Sequence, residues 1–390
     1  MPGDETITFT FVGDIMPAGY FSEQMDTLRD QWIPDEALQW FQSDVVFANL
    51  ECVASNSGVP LSNKIVTYCF PEALEILKDI RVDVVNLANN HQMDYGIEAS
   101  EHTRSYLDEL NIAYGGVGRN IQEATSPVIL ERKGYKIGFL FHSWTNEFVE
   151  PVPAATSDTA GVAPLSVPEI CDAICKLKLQ GVDIVIVSLH WGEGKSHNVR
   201  PENIYEAHKI IDAGADIIVG HHAHCLQGYE VYKGKPIFYG LGNFFCSAYR
   251  KLSDKKLTYE KTGTYRYRFI RERKTVVVNI TYSPENGYSF EYHPLYQLDN
   301  PPALTIPDNS IRNSICMMME KLSRRIAHPD YGTRKFPLYR RMDELKRIWE
   351  DFKEVGIKLE YFHPRTPLRI MRKLLIGKSC HILLMSISLF

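Results

Sequence analysis

The sequence predicts an α/β fold organised around a largely parallel β-sheet. Three observations lead there. Near-continuous apolar, β-branched runs of strand length recur at "SDVVFANLE" (43–51), "VDVVNLANNH" (82–91), "VDIVIVSLHWG" (182–192) and "ADIIVGHHAH" (215–224), the texture of strands buried on both faces. Helical patterns separate them, and strand, helix and strand in alternation imply right-handed crossovers between parallel strands. Turns at Lys133-Gly134 and Lys233-Gly234 mark antiparallel hairpins that complete the sheets.

In chain order, "ITFTFVGD" (7–14) is the first strand. "IPDEALQWFQ" and "PEALEILKDI" read as helices that start near Pro34 and Pro71, where a missing N–H costs least. "GIEASEHTRSYLDEL", "VPEICDAICKLKLQ" and "PENIYEAHKIIDAG" are the later helices. "PVILERKGYKIGFLFHSW" (127–144) and "YEVYKGKPIFYGLGNFF" (229–245) are hairpins, and "KTVVVNITYSPENGYSFEYHPLYQ" folds back at its Pro-Glu-Asn-Gly turn. Residues 247–270 are rich in Lys, Arg and Tyr and read as a loop or insertion; the stretch "YEKTGTYRYRFIRER" (259–273) reads as solvated, with gating of a site as the rival reading. Beyond Pro301 two helices are expected, "SIRNSICMMMEKLSRRI" and "YRRMDELKRIWEDFKEVG", giving a main domain over 1–300 and a helical C-terminal extension over 301–390. No repeat of solenoid period appears.

A chain of 390 residues with 44% hydrophobic residues can bury a sizeable core. Its net charge of -5 offers no basic excess to neutralise phosphates, so nucleic acid is not an expected partner. Eight cysteines without a CxxC pair read as free thiols. The start, MPGDETITFTF, has neither a basic nor an apolar signal region, so a cytoplasmic chain is expected. The apolar, basic tail "RIMRKLLIGKSCHILLMSISLF" (369–390) is interrupted by Lys378 and His381; it reads as a packed terminal element, with a membrane-peripheral or partner-binding tail as the alternative.

The strand ends carry the chemistry. They are Gly13-Asp14, Asn49-Leu50-Glu51, Asn89-Asn90-His91, His190-Trp191-Gly192-Glu193 and His221-His222-Ala223-His224. Carboxyl ends of parallel strands share one edge, where ligands bind. A lone Asp there is an ordinary cap and a lone His an ordinary surface residue, but five such endings together exceed what capping needs. Two carboxylates, one or two amides and three imidazoles, with no thiolate, suit borderline divalent cations such as Mn, Fe, Co, Ni or Zn. The donors outnumber one tetrahedral site, so a two-metal centre bridged by a carboxylate is the economical reading. His91 would then be available for proton transfer. No GxSxG, HExxH or GxxxxGK[ST] motif competes, and "GGVGRN" (115–120) lacks the last glycine of a dinucleotide fingerprint. A serine triad from Asp183, Ser188 and His190 is disfavoured by strand alternation.

Taken together, "GDIM" (13–16), "NLE" (49–51), "LANNHQMDYG" (87–96), "HWGEG" (190–194), "GHHAH" (220–224) and "GLGNFF" (240–245) resemble the CapA family of capsule and poly-γ-glutamate synthesis proteins, whose domain is similar to the calcineurin-like metallophosphatases. The resemblance spans about residues 7–250 and implies a four-layer α/β/β/α sandwich of metallophosphatase type with a dinuclear edge site. It implies Asp14, Glu51, Asn90, His190, His222 and His224 as metal ligands, with Glu51 bridging and His221 as the extra histidine. His91 is implied as the catalytic histidine, with Asp94 orienting it or capping the next helix, and two divalent ions (Mn, Fe or Zn) as cofactors. The chain departs from the phosphatase pattern in having Asp14-Ile15-Met16 in place of Asp-x-His, and Glu51 in place of a bridging Asp. Glu193, His142 and Asn243 are candidate replacements for the absent imidazole, each with an alternative reading as a strand cap or hydrogen-bond partner. The implied function is a metal-dependent hydrolase of phosphoesterase type in capsule, poly-γ-glutamate or surface polysaccharide synthesis. Its partners would be an anionic polymer or a phosphate-containing small substrate and a membrane-bound synthase complex. The alternatives are a non-catalytic accessory subunit that binds an anionic chain through the metal site, and a metal-dependent epimerase.

Overall fold

Strand β1 (Ile7–Met16) is the axis of the first sheet in the computed structural model, which describes residues 5–62, 64, 66–145, 152–247, 272–299 and 301–343. On one side of β1 run β2 (Val45–Leu50), β3 (Val84–Asn86) and β4 (Ala113–Gly115), each parallel to its neighbour. The second sheet holds β5 (Val128–Arg132), β6 (Tyr135–Ser143), β7 (Ile184–His190), β8 (Ile217–His221), β9 (Tyr229–Tyr232) and β10 (Lys235–Phe238), in the order β9-β10-β8-β7-β6-β5. The chain then returns to the first sheet, where β11 (Asn243–Cys246) pairs parallel with the end of β1. Strands β12 (Lys274–Ser283), β13 (Gly287–Asp299) and β14 (Pro302–Thr305) extend that sheet in antiparallel fashion.

Side-chain alternation divides these strands between two faces. Phe9, Phe11 and Phe47 of the first sheet pack against Ile137, Phe139, Phe141, Ile186 and Val219 of the second, and the Phe47 ring stacks on Phe139 at 6.1 Å. Each such side chain contributes about 1.5–3 kcal/mol by leaving water. The opposite face of the first sheet, with Val46, Ala48 and Leu50, is covered by Ala37, Phe41, Leu74 and Leu107. Leu107 comes from helix α1 (Gly96–Glu109). The outer face of the second sheet, with Val185, Val187 and Ile218, takes Ile170, Ile174 and Leu177 from α2 (Val167–Leu179) and Ala207 and Ile210 from α3 (Pro201–Asp212). Helix, sheet, sheet and helix form the four-layer α/β/β/α sandwich.

Local chemistry alters three of the predicted elements. The run 82–91 pairs only over Val84–Asn86, because Asn86 Oδ1 accepts from the Ala88 N–H (2.7 Å) and Asn89 Oδ1 from the His91 N–H (3.1 Å), local bonds that replace the ladder. The helix expected over 33–42 is a 3-10 segment, Asp35–Phe41, and that over 71–80 is a 3-10 segment, Pro71–Glu75, followed by one α-turn, Ile76–Asp79. The end of the second hairpin leaves its sheet altogether. A Cβ on Gly13 would stand 1.9 Å from the Gly242 carbonyl oxygen, and one on Gly220 1.9 Å from that of Tyr239, so the crossing segment 239–242 lies directly against a strand of each sheet.

The unit Met1–Pro337 includes β14 and helix α4 (Asn309–Ile326), whose Ile315 and Met319 join the intersheet core. The unit Leu338–Phe390 is described only to residue 343 and is helical there. Most of the expected helix at 339–356, the stretch 259–271 and the tail 369–390 lie outside the described residues. Among the described residues no helix is long and apolar enough to cross a membrane, and none of the seven cysteines is in a disulfide.

Candidate metal centre

Parallel register sets the first donors side by side. Asp14 is paired in register with Asn49 on β2 and with Asn243 on β11, and His190 with His221 across β7 and β8. Asn49 Nδ2 donates to Asp14 Oδ1 at 2.8 Å, and Asn86 Nδ2 donates to Asn49 Oδ1 at 3.1 Å, so a ladder of amides holds the carboxylate in place. One residue beyond β2, Glu51 is fully buried. Beyond β8 the backbone becomes left-handed at His222 (φ 84°) and His224 (φ 55°), conformations that cost non-glycine residues about 1–3 kcal/mol each and cluster at functional sites.

The donors converge on Glu51. Its Oε1 lies 3.5 Å from Nε2 of His190 and 3.5 Å from Nε2 of His224. His190 Nε2 is also 2.9 Å from Asn90 Oδ1 and 3.1 Å from His222 Nδ1. On the other side, His224 Nδ1 is 3.5 Å from Asp14 Oδ2 and 3.0 Å from Asn243 Oδ1, and His221 Nδ1 is 3.2 Å from Asp14 Oδ1. Two groups result, Asp14–Glu51–His224 and Glu51–His190–His222, each with its ligand atoms within 4.8 Å of one another. They share Glu51. The structure thus brings together all six residues expected as ligands, and adds His221 and Asn243 beside Asp14.

The electrostatics suit a cation. Burial, reinforced by His222, pushes His190 well below the usual imidazole value, and burial with the charge of His224 pushes His222 down to about 3. Neutral imidazoles offer lone pairs, and two ring nitrogens 3.1 Å apart beside a carboxylate and an amide oxygen form a set that a divalent ion would satisfy. Burial alone would raise the Asp14 carboxyl, but hydrogen bonds and charge from His221 and His224 outweigh it and hold it well below the usual carboxylate range. The centre meets solvent through His222 and His224, which keep 9% and 8% exposure against 1% or less for Asp14, Glu51 and His190.

His91 stands next to the donor Asn90 but belongs to neither group. Its Nδ1–H donates to Asp94 Oδ2 at 2.7 Å, which leaves the Nε2 lone pair on the other side of the ring. Asn89, a neighbour with an unexplained polar end, donates to the Leu50 carbonyl at 2.8 Å and so ties this turn to β2. Among the candidate replacements for the absent imidazole, Asn243 touches the centre through His224. His142 instead bonds the Pro164 carbonyl at 2.9 Å, and Glu193 is outside both groups. Met16 packs away from the donors in the helix-covered core, its sulfur 3.8 Å from that of Cys246. One neighbour had no sequence signal: Lys64, a loop lysine, places its ammonium 2.9 Å from Asp94 Oδ1.

Residues 8–248 match the family model described as "Bacterial capsule synthesis protein PGA_cap". The "PGA biosynthesis protein CapA" of Bacillus subtilis is 32% identical over 278 residues, 68% of this chain and 70% of that protein. The "Capsule biosynthesis protein CapA" of Bacillus anthracis is 31% identical, with 65% and 63% covered. A "Probable polyglutamine synthesis accessory protein" of Mycobacterium tuberculosis is 31% identical, with 55% and 59% covered. The chain therefore spans between 59% and 70% of the length of these relatives. Among solved structures, the NAD nucleotidase of Haemophilus influenzae aligns with a TM-score of 0.44 at 12% identity, covering 81% of this chain and 63% of that one.

Proposed function

The chain belongs to the bacterial capsule synthesis protein PGA_cap family, and from that premise we propose that it acts in capsule, poly-γ-glutamate or surface polysaccharide synthesis as a metal-dependent hydrolase of the phosphoesterase type. The observation that carries this reading is the sharing of Glu51 by two carboxylate–imidazole groups, with His91 beside them outside both. Asp14, Glu51 and His224 would hold one divalent ion, and Glu51, Asn90, His190 and His222 the other; Mn, Fe or Zn fits this oxygen and nitrogen set. Such a pair supplies Lewis acidity and neutralises charge that develops at a phosphoryl or similar centre. The chain's own residues then divide the remaining work. Asp94 fixes the His91 proton on Nδ1, and Nε2 exchanges a proton with the leaving group. The amide ladder Asn86–Asn49–Asp14 keeps the carboxylate from turning away. The test is turnover of chromogenic phosphate mono- and diesters with added Mn, expected in the wild type and lost in His222→Ala. A wild type inert across the panel removes the phosphoesterase reading.

A second reading is favoured by Met16. Because that side chain is buried against Cys246, β1 supplies Asp14 and no imidazole. A centre weakened in this way suits an accessory subunit that grips an anionic polymer through its cations and presents it to a membrane-bound synthase. Retention of poly-γ-glutamate by the metal-loaded protein, with chain length unchanged and no ester turnover, would select this reading over the first.

A further inference from the structure

Asp94 is gripped from three positions in the segment between β2 and β3. The Leu61 N–H donates to its backbone carbonyl at 2.8 Å and the Thr67 N–H to Oδ2 at 2.6 Å, while the Lys64 ammonium forms an ion pair with Oδ1 at 2.9 Å. The side chains of Lys64 and Asp94 both have zero exposure. The same ammonium also donates to the backbone carbonyl of Asn90. Stability alone does not account for this lysine. A buried ion pair seldom outperforms apolar residues of the same volume, since both charges lose their water.

What the ammonium touches suggests another reason. Asn90 and His91 are adjacent, yet their side chains serve different ends: the Asn90 amide oxygen joins the donor group at His190, and His91 turns to Asp94. Lys64 holds the first through its carbonyl and the second through the Asp94 carboxylate. Oδ1 faces Lys64, and Oδ2 meets His91 and the Thr67 N–H, so both carboxylate oxygens are engaged by neighbouring groups.

We propose that Lys64 is a positioning residue: it locks the Asp94 carboxylate so that His91 keeps its proton on Nδ1, and it pins the Asn90–His91 peptide so that the two side chains diverge toward the donor group and the reacting group. What His91 then does rests on the function proposed above; where His91 is held does not. A displacement of about 1 Å at a reacting group can cost about 100-fold in rate.

The experiment uses the full chain labelled with ¹⁵N-histidine, as wild type, Lys64→Met and Lys64→Arg, each with its Mn content measured. The wild type should show His91 as a single Nδ1–H tautomer. Lys64→Met should lose or mix that tautomer while keeping wild-type metal content, and Lys64→Arg should restore it. On bis(p-nitrophenyl) phosphate, Lys64→Met should lower kcat about 10- to 100-fold with KM within about twofold. An unchanged His91 tautomer in Lys64→Met overturns the proposal, and so does a loss of metal, which would place Lys64 in support of the donors instead. If Lys64→Met does not fold, Lys64→Ala, which removes the ammonium and leaves room for water beside Asp94, carries the same comparison. An inert wild type would sink the hydrolase reading, while the tautomer comparison would still decide the role of Lys64.

Discussion

Nε2 of His224 lies 3.5 Å from Oε1 of Glu51, and that same oxygen is 3.5 Å from Nε2 of His190. The two imidazoles follow strands of the second sheet and the carboxylate follows β2 in the first, so Glu51 meets histidines delivered by the other sheet on both sides.

The stoichiometry of metal binding should follow from that sharing. Wild type is expected to hold two equivalents of Mn per chain, Asp14→Ala one, and Glu51→Ala none. Metal analysis by mass spectrometry after gel filtration reads this directly; two equivalents retained by Glu51→Ala would break the bridging assignment.

Removal of the proton-exchanging ring should separate chemistry from binding. His91→Ala is expected to lower kcat on a phosphodiester by about 100- to 10,000-fold, with metal content and Tm close to wild type, because His91 is in neither donor group. Asp94→Asn should add a stability loss of about 3–5 kcal/mol, since it leaves the buried Lys64 ammonium without its counter-charge. Thermal unfolding alongside kinetics distinguishes the two variants.

A buried histidine that the centre does not use, His142, should appear in the pH dependence of stability. Burial pushes His142 down from 6.5 to about 4, so the unfolded chain binds a proton there before the folded one does. Stability is therefore fully present above pH 6.5 and falls as pH drops toward about 4, by roughly 3 kcal/mol in total. His142→Asn, which can keep the bond to the Pro164 carbonyl, should flatten that slope in metal-free protein. Denaturant midpoints across this pH range check it, and parallel slopes for the two proteins would contradict it.

The crossing segment should tolerate no side chain beneath it. Gly220→Ala would place a methyl 1.9 Å from the Tyr239 carbonyl oxygen and 2.6 Å from Trp191 Nε1, and the required backbone shift is expected to cost more than about 3 kcal/mol. Gly234→Ala, at φ 76° with nothing within 4 Å of its Cβ, should cost about 1–2 kcal/mol. Comparison of the two midpoints separates contact from conformational strain.

Much of this centre was legible because strands and their ends are local properties of the chain. β-Branched runs announce buried strands whatever lies beside them, and polar residues at their ends stand out against that background. Asp14, Glu51, Asn90, His190, His222 and His224 could therefore be named from spacing and family resemblance together, and the structure places them within reach of one another. Three features depended on contacts that spacing does not show. The direction of Met16 depends on Cys246, 230 positions away. Asn243 reaches His224 only because the chain leaves the second sheet at Gly242 and pairs with β1. Lys64 carries no pattern, since a lysine in a polar loop looks the same whether solvated or buried.

By itself, then, the sequence determined the α/β class, the strands and the chemical character of their ends. The tertiary structure decided that those ends belong to two sheets, β1 to β3 in one and β7 and β8 in the other, facing each other across an aromatic core. The reason is physical: strand identity is set by residues within one segment, whereas sheet membership and the meeting of Glu51 with His190 and His224 depend on pairing and packing between segments far apart in the chain.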